Sequence, residues 1–364
     1  MEKKTTKLCL YLPTELIIQI LLRLTVKSLI RFKSVCKTWF TLISDPNFAN
    51  SHFQFPATHT RKILSLSSTT PPQIQSIDFE ENLVSNFSAP LNLFKFNISN
   101  FPLQIKGSCR GFLFLCNSWK FYLWNPSTGF YKQIPLSNSC YSRYLYGFGY
   151  DGSRDDYVVV LMGYNTNVVY HTSRFEFFSL RDNKWKQIKG SHLSYKNALP
   201  NANRDIGGTI LNSAIHWLAF RCDFMVDGIV AFDLMERKLL EMCLPDEIDI
   251  VPNDCGLWVS GEFLSLWAMR RHHIVDIWVM KEYKVSSSWI KTHVFPINAT
   301  PYFSPIYSTK NGDIVGIDDG IGLMKYNGKG QLLGQCSFCD DPSESQVVIY
   351  TESVLSLPGD IEQV

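Results

Sequence analysis

The chain has 364 residues, 45% of them hydrophobic and 19% charged, with 35 Lys and Arg against 33 Asp and Glu. That near-neutral balance excludes the basic excess that a nucleic-acid or anionic-membrane surface requires. No apolar run approaches the ~20 residues needed to span a bilayer, so neither nucleic acid nor membrane is expected as a partner.

At the N-terminus Pro13 and Glu15 interrupt the apolar stretch, so no secretory leader is expected. The ten cysteines follow no framework spacing. Several, such as Cys36 and Cys222, lie in apolar segments and read as small buried hydrophobes of a reducing compartment, cytoplasmic or nuclear.

The first predicted element is a helix opening at Pro13 and Thr14, with Thr14 as its cap and Glu15 in the first turn, where the helix dipole favours an acid. Leu16, Ile17, Ile20, Leu21 and Leu24 form one wide stripe, while Ile18 and Leu22 lie off it, so more than one face is apolar. A second helical signal starts at Ser28 and runs through Leu29, Phe32, Val35, Cys36, Trp39, Phe40 and Ile43 until Asp45-Pro46 stops it. Phe48 and Phe53 follow as a short last turn. About forty residues in two or three short helices cannot bury enough surface to stand alone. Either the head packs on the rest of the chain, or a permanent protein partner covers it. Half a dozen such side chains entering a partner would contribute roughly 10 kcal/mol gross, at ~1.5–3 each.

Beyond about residue 55 the pattern turns to period-two alternation with turn punctuation. YLWNPSTGFYKQIP reads as strand, turn and strand, and so do RFEFFSLRDNKWKQI, IVAFDLMERKLLEMCLP, DIWVMKEYKVSSSWI and GLMKYNGKGQL. Taking Trp124, Phe178, Phe232, Trp278 and Tyr326 as equivalent gives spacings of 54, 54, 46 and 48. A repeat near fifty residues is the mark of a β-propeller with one four-stranded blade per unit. Inner-strand pairs lie between the hairpins: RGFLFLC, GGTILNSAIHWLAF, SGEFLSLWAMR and NGDIVGIDDG. Roughly three hundred residues at ~50 per blade give about six blades. The sixth is stitched from RKILSLSS and the late VVIYTESVLSL, closing the ring and removing its open edges.

No Walker loop, Gly-x-Ser-x-Gly elbow or His-Glu-x-x-His helix is present. His272-His273 is an adjacent pair in a predicted strand, its rings on opposite faces. Cys336 and Cys339 have ligand spacing but no matching second pair. The doublets Glu80-Glu81, Asp155-Asp156, Asp318-Asp319 and Asp340-Asp341 read as solvated turn residues. Lys27, Arg31, Lys33 and Lys37 form a basic face on the head, solvated or else turned to an acidic partner surface or to the body. No catalytic residue, cofactor or metal is expected.

The ordered set Leu12-Pro13, Glu15, Ile20-Leu21, Arg23-Leu24, Val26-Lys27-Ser28-Leu29, Arg31-Phe32, Val35-Cys36-Lys37, Trp39, Leu42-Ile43, Asp45-Pro46, Phe48 and His52 resembles an F-box of the plant type. WNPSTG at Trp124 to Gly129, YGFGYD at Tyr146 to Asp151, DDYVVV, WKQI, IHWLA, IVAFDL, IWVMKEY and SSSW resemble, in that order, the F-box-associated domain of plant proteins, including the S-locus F-box group and relatives called kelch-repeat. The implied architecture is a multidomain α+β chain: a helical F-box over residues 8–53 and an all-β kelch-like β-propeller over residues 56–364.

By that resemblance the head docks on a Skp-type adaptor, which joins it to a cullin scaffold and a RING protein, and the propeller presents a target protein for ubiquitination. The implied adaptor-binding residues are Leu12, Pro13, Leu16, Ile20, Leu21, Leu24 and Leu29, with Phe32, Val35 and Trp39 in the head's own core. Three positions depart from the family pattern. Thr25 stands where proline is usual, which would loosen the turn; Ser213 stands where glycine is usual; Val158 replaces a common lysine. The alternative is a propeller-based enzyme or glycan-binding protein with the head as an internal cap. Loops carry specificity, and the segments Asn138 to Arg143, Asn165 to Thr172 and His192 to Arg204 are the candidate target-binding loops.

Overall fold

The computed structural model describes residues 12–55, 61–67, 74–78, 90–91, 103–117, 120–138, 143–164, 173–188, 195–197, 207–222, 226–248, 255–270, 274–296, 303–309, 311–318, 322–337 and 345–358. The head is four helices of eight residues each: α1 Thr14–Leu21, α2 Val26–Lys33, α3 Lys37–Ser44 and α4 Pro46–Phe53. Local chemistry accounts for the differences from the sequence reading. Pro13, not Thr14, precedes α1, with no side-chain cap. Thr25 caps α2, its Oγ1 accepting from the Ser28 amide at 3.4 Å, so Ser28 lies inside the helix rather than capping it. The run from Ser28 to Ile43 is broken where the Ser34 hydroxyl donates to the Arg31 carbonyl at 2.7 Å and Cys36 becomes extended. Asp45 accepts from the Asn47 and Phe48 amides, both at 2.9 Å, with Pro46 in the first helical position. The Asp-Pro pair therefore ends one helix and starts another, and the expected last turn is a full helix.

The described strands form six antiparallel sheets. Blade 1 combines Arg61–Ser67, Ile74–Asp78 and Pro90–Leu91 with Ser345–Thr351 from the far end of the chain. The closing pair runs from Arg61 opposite Thr351 to Ser67 opposite Ser345, which is the stitch read from the sequence. Blade 2 runs from Gln104 to Ile134, blade 3 from Arg143 to Gln187, blade 4 from Thr209 to Met242, blade 5 from Cys255 to Pro296 and blade 6 from Phe303 to Ser337. The short strand Tyr195–Asn197 adds to blade 4.

Ring closure is visible in the core. Six apolar clusters each straddle two neighbouring blades, and blade 6 meets blade 1 through Val315 and Leu323 against Ile63. Along Asp156–Tyr164, buried on both faces, Val158, Val160 and Met162 point toward blade 4 while Tyr157, Val159 and Leu161 point toward blade 2. The equivalent aromatics behave alike: Trp124, Phe178, Phe232, Trp278 and Tyr326 each fill the interface with the preceding blade. That common role is why the fifty-residue period survives in the sequence.

In blades 2 to 6 the turns that follow the first and third strands of the hairpin pair fall at one end of the ring. Two residues in the left-handed region make such turns, as in Arg110-Gly111 (φ 48°, 81°) and Asn212-Ser213 (φ 48°, 56°). The latter explains why glycine suits position 213. Val158 is buried between blades, a place where an aliphatic residue packs without a partner for a charge. The acidic doublets need one correction: Asp155 is exposed, but Asp156 is buried and paired with Arg237 at 3.1 Å. Glu80-Glu81, Asp319, Asp340-Asp341, His272-His273 and Cys339 lie outside the described residues. Cys36 is exposed and Cys222 only half-buried, contrary to expectation, since the first sits on the link between α2 and α3 and the second just past a strand end.

Candidate partner-binding face of the helical head

Helix α1 turns Leu21 inward, where it joins Val26, Leu29, Ile43, Phe48 and Ala49 in the head's core. The same cluster continues into the interface of blades 2 and 3 and the tail residues Val354, Leu355 and Leu357. The head is thus sealed against the ring on its inner side, in part as the packing alternative expected. His52 ties the fold together: buried and stacked on Phe48, its Nε2 lies 2.8 Å from the Leu24 carbonyl. Phe32 and Trp39 pack ring to ring at 5.1 Å.

The outer side stays uncovered. Leu12, Leu16 and Ile20 are 47%, 53% and 52% exposed, and Pro13 is exposed beside them. Leu16 and Ile20 are one helical turn apart and so share a face. Leu24 is half-buried. Two of the expected partner-facing residues are corrected: Leu21 and Leu29 are fully buried, spent on the head's own core. Val35, expected in that core, is 60% exposed because it falls on the link where the helical run breaks.

Burying the exposed half of four such side chains is worth roughly 1 kcal/mol each, short of what association consumes. Further contacts must contribute. Between residues 12 and 55 there are five Lys and Arg against Glu15 and Asp45. Arg23, Lys27, Arg31 and Lys37 are exposed, and Arg31 lies in the last turn of α2, where the dipole favours a cation. The exposed surface of the head therefore combines apolar side chains with an excess of cations.

Among the described residues the body offers no comparable cluster of chemical groups. Among the described residues no three His, Cys, Asp or Glu side chains are placed to hold a metal ion, and no helix is long and apolar enough to cross a membrane. His216 is buried, its Nδ1 3.0 Å from the Thr209 carbonyl and its Nε2 2.8 Å from the Tyr283 hydroxyl. Burial pulls its pKa down to about 4, so this imidazole is neutral and structural. The candidate target loops lie largely outside the described residues. The strand ends flanking two of them, Arg143, Tyr164 and Arg174, are at the end of blade 3 opposite its Asp151–Asp156 turn.

Residues that sequence reasoning passed over hold the two parts together. Arg110 reaches from the first turn of blade 2 to Asn50 of α4, and Asn125 of the WNPSTG turn binds the tail at Ser353 and Leu355. Both sit beside legible turns, but their partners are far away in the chain.

Comparison with known proteins agrees with this division. Residues 9–51 match the F-box domain, and residues 55–324 match the F-box associated beta propeller domain. F-box protein At4g22390 of Arabidopsis thaliana is 26% identical over 96% of this chain and 92% of its own length. F-box/kelch-repeat protein At3g23880 of the same plant is 28% identical over 87% of each. Putative F-box protein At3g16590, also from Arabidopsis thaliana, is 30% identical over 82% of each.

Proposed function

The chain belongs to the plant F-box proteins that carry an F-box associated β-propeller domain, and from that premise we propose that it is the substrate-recognition subunit of a Skp–cullin–F-box ubiquitin ligase. Leu12, Pro13, Leu16 and Ile20 dock on a Skp-type adaptor, with Leu24 at the edge of the contact and the exposed cations facing acidic adaptor surface. Through the adaptor the chain joins a cullin and a RING protein, in the cytoplasm or nucleus. The propeller binds a target protein at the end of the ring away from the head, where the candidate loops leave the strands. The chain does no chemistry. It acts by proximity, raising the effective concentration of target lysines near a charged ubiquitin-conjugating enzyme.

One observation carries this reading. A head whose core is otherwise complete leaves Leu12, Leu16 and Ile20 half exposed, and a surface of that kind calls for a partner. The test is co-purification of a Skp-type adaptor with Leu16→Asp and Ile20→Asp variants. Both are expected to lose the adaptor while melting like the parent. Retention by both would refute the docking face.

A further inference from the structure

We propose that Arg110 is a latch that fixes the angle between head and propeller, and thereby the placement of the target relative to the transferred ubiquitin. This rests on the ligase reading for its consequence, but not for its geometry. Arg110 sits in the left-handed region at φ 48°, in the turn that opens blade 2. Its carbonyl accepts from the Ser353 hydroxyl at 3.3 Å, and the next residue, Gly111, lies where a Cβ would come within 2.0 Å of the same oxygen. The backbone under the arginine is therefore packed tightly against the tail.

From that base the guanidinium reaches both bodies. Its Nη2 donates to Asn50 Oδ1 at 2.6 Å, and its Cζ lies 4.8 Å from the centre of the Phe53 ring and 4.1 Å from that of Tyr150. Asn50 and Phe53 are three apart on α4 and so share a face. Tyr150 belongs to blade 3 and is steadied by its own hydrogen bond to Asp155 at 2.7 Å. One planar cation is thus held between an aromatic ring of the head and one of the propeller, an arrangement that lysine cannot reproduce.

The surroundings explain why a latch matters. Beside it lies an open cleft of about 510 Å³, lined by Pro46 and Asn50 of the head and by Tyr157, Arg181 and Leu357 of the body. The apolar core seals the junction on one side only; on the latch side this open cleft leaves the head room to tilt. Since α1 and α4 share one core, any tilt at α4 carries the adaptor-binding edge with it.

The exposed cysteines Cys36 on the head and Cys243 on blade 4 provide natural sites for spin labels, with Cys9, Cys140, Cys222, Cys336 and Cys339 changed to serine. In the free full-length chain the parent is expected to give one narrow distance distribution. Arg110→Ala and Arg110→Lys should each broaden it at least twofold, and Asn50→Asp should keep it narrow. Should Arg110→Ala fail to fold, Asn50→Leu on the head carries the same test. With adaptor, cullin and RING added, Arg110→Lys should bind the adaptor within twofold of the parent and melt alike, yet spread self-ubiquitination over more lysines. An unchanged distribution in Arg110→Lys and Asn50→Leu would overturn the latch. An unchanged lysine pattern despite a broadened distribution would overturn its role in ubiquitin placement. Loss of adaptor binding by the parent itself would overturn the ligase reading alone.

Discussion

The side-chain amide of Asn125 donates to the carbonyl of Ser353 at 3.2 Å, across 228 residues of chain. The same nitrogen reaches the Ser353 hydroxyl at 3.2 Å and the Leu355 carbonyl at 3.3 Å, while Oδ1 accepts from the Ser127 amide at 2.9 Å. One buried side chain thus shapes its own turn and clamps the tail that follows the closing strand. Asn125→Ala would leave buried carbonyls without donors, a loss of roughly 2–4 kcal/mol. Asn125→Asp should do no better, since a carboxylate cannot donate. Urea unfolding of both variants checks this; a loss below about 1 kcal/mol would count against the clamp.

Arg237 joins blades 3 and 4 through two buried carboxylates, Asp151 at 3.0 Å and Asp156 at 3.1 Å. Without the guanidinium Asp151 keeps Ser153 and Arg154, and Asp156 keeps the Ser179 hydroxyl and the Arg181 amide, so Arg237→Met is expected to lose about 1.5–3 kcal/mol, the worth of a hydrogen bond to a charged group. Burial pushes the Asp151 pKa up, but hydrogen bonds from Ser153 and Arg154, with the Arg237 charge, bring it below the ordinary 3.8. Its stabilisation is therefore complete above that ordinary value and lost as pH falls through the lower folded one. In Arg237→Met the folded value rises, so acid unfolding should begin at a higher pH than in the parent. Circular dichroism along an acid titration reads the difference.

Much of the ring was legible because packing between blades repeats. Trp124, Phe178, Phe232, Trp278 and Tyr326 do one job five times, and the Asn and Gly turns beside them mark the strand ends. The head was harder. An α1 that is apolar on several faces does not say which face the core will claim, so Leu21 reads like Leu16 and Ile20, and Leu29 at the apolar stripe of α2 carries no mark of which side it serves. Val35 was misplaced because the break at Ser34–Cys36 comes from a local hydroxyl bond inside a run of helical periodicity. Arg110 and Arg237 were invisible for another reason: their partners are distant in sequence, and only the closed ring brings them together.

Leu21 and Leu16 are therefore predicted to separate. Leu21→Ala removes a fully buried side chain and is expected to destabilise the head by about 2–5 kcal/mol, with adaptor binding reduced only through unfolding. Leu16→Ala should leave stability within about 0.5 kcal/mol and weaken the adaptor directly. Hydrogen exchange on the head, beside adaptor affinity, distinguishes the two; equal protection losses would undo the assignment.

Thr25 shows that the departure from the usual proline is compensated. Its φ of −67° is the angle proline would impose, and its hydroxyl supplies a cap that proline lacks. Thr25→Ala should lose about 1 kcal/mol. Thr25→Pro exchanges the cap for a stiffer unfolded chain and should stay within about 1 kcal/mol of the parent. If both variants lose several degrees in melting temperature, the exchange argument fails.

His216 makes the sharpest pH prediction. The Thr209 carbonyl can only accept, so Nδ1 carries the proton and Nε2 accepts from the Tyr283 hydroxyl of blade 5. Burial, aided by the charge of Lys284 and opposed by the Thr209 bond, holds the folded pKa near about 4 against an ordinary 6.5. Below 6.5 the unfolded chain takes up a proton that the folded one refuses. The contribution is therefore full above pH 6.5 and disappears as pH falls toward 4, with a total on the order of 3 kcal/mol. His216→Phe should lower stability at pH 7, because it leaves the Thr209 carbonyl and the Tyr283 hydroxyl without their partner. It should also flatten the slope of unfolding free energy between pH 6.5 and 4. Urea unfolding at pH 7, 6 and 5 measures both effects, and parallel slopes for parent and variant would show that some other group carries the acid sensitivity.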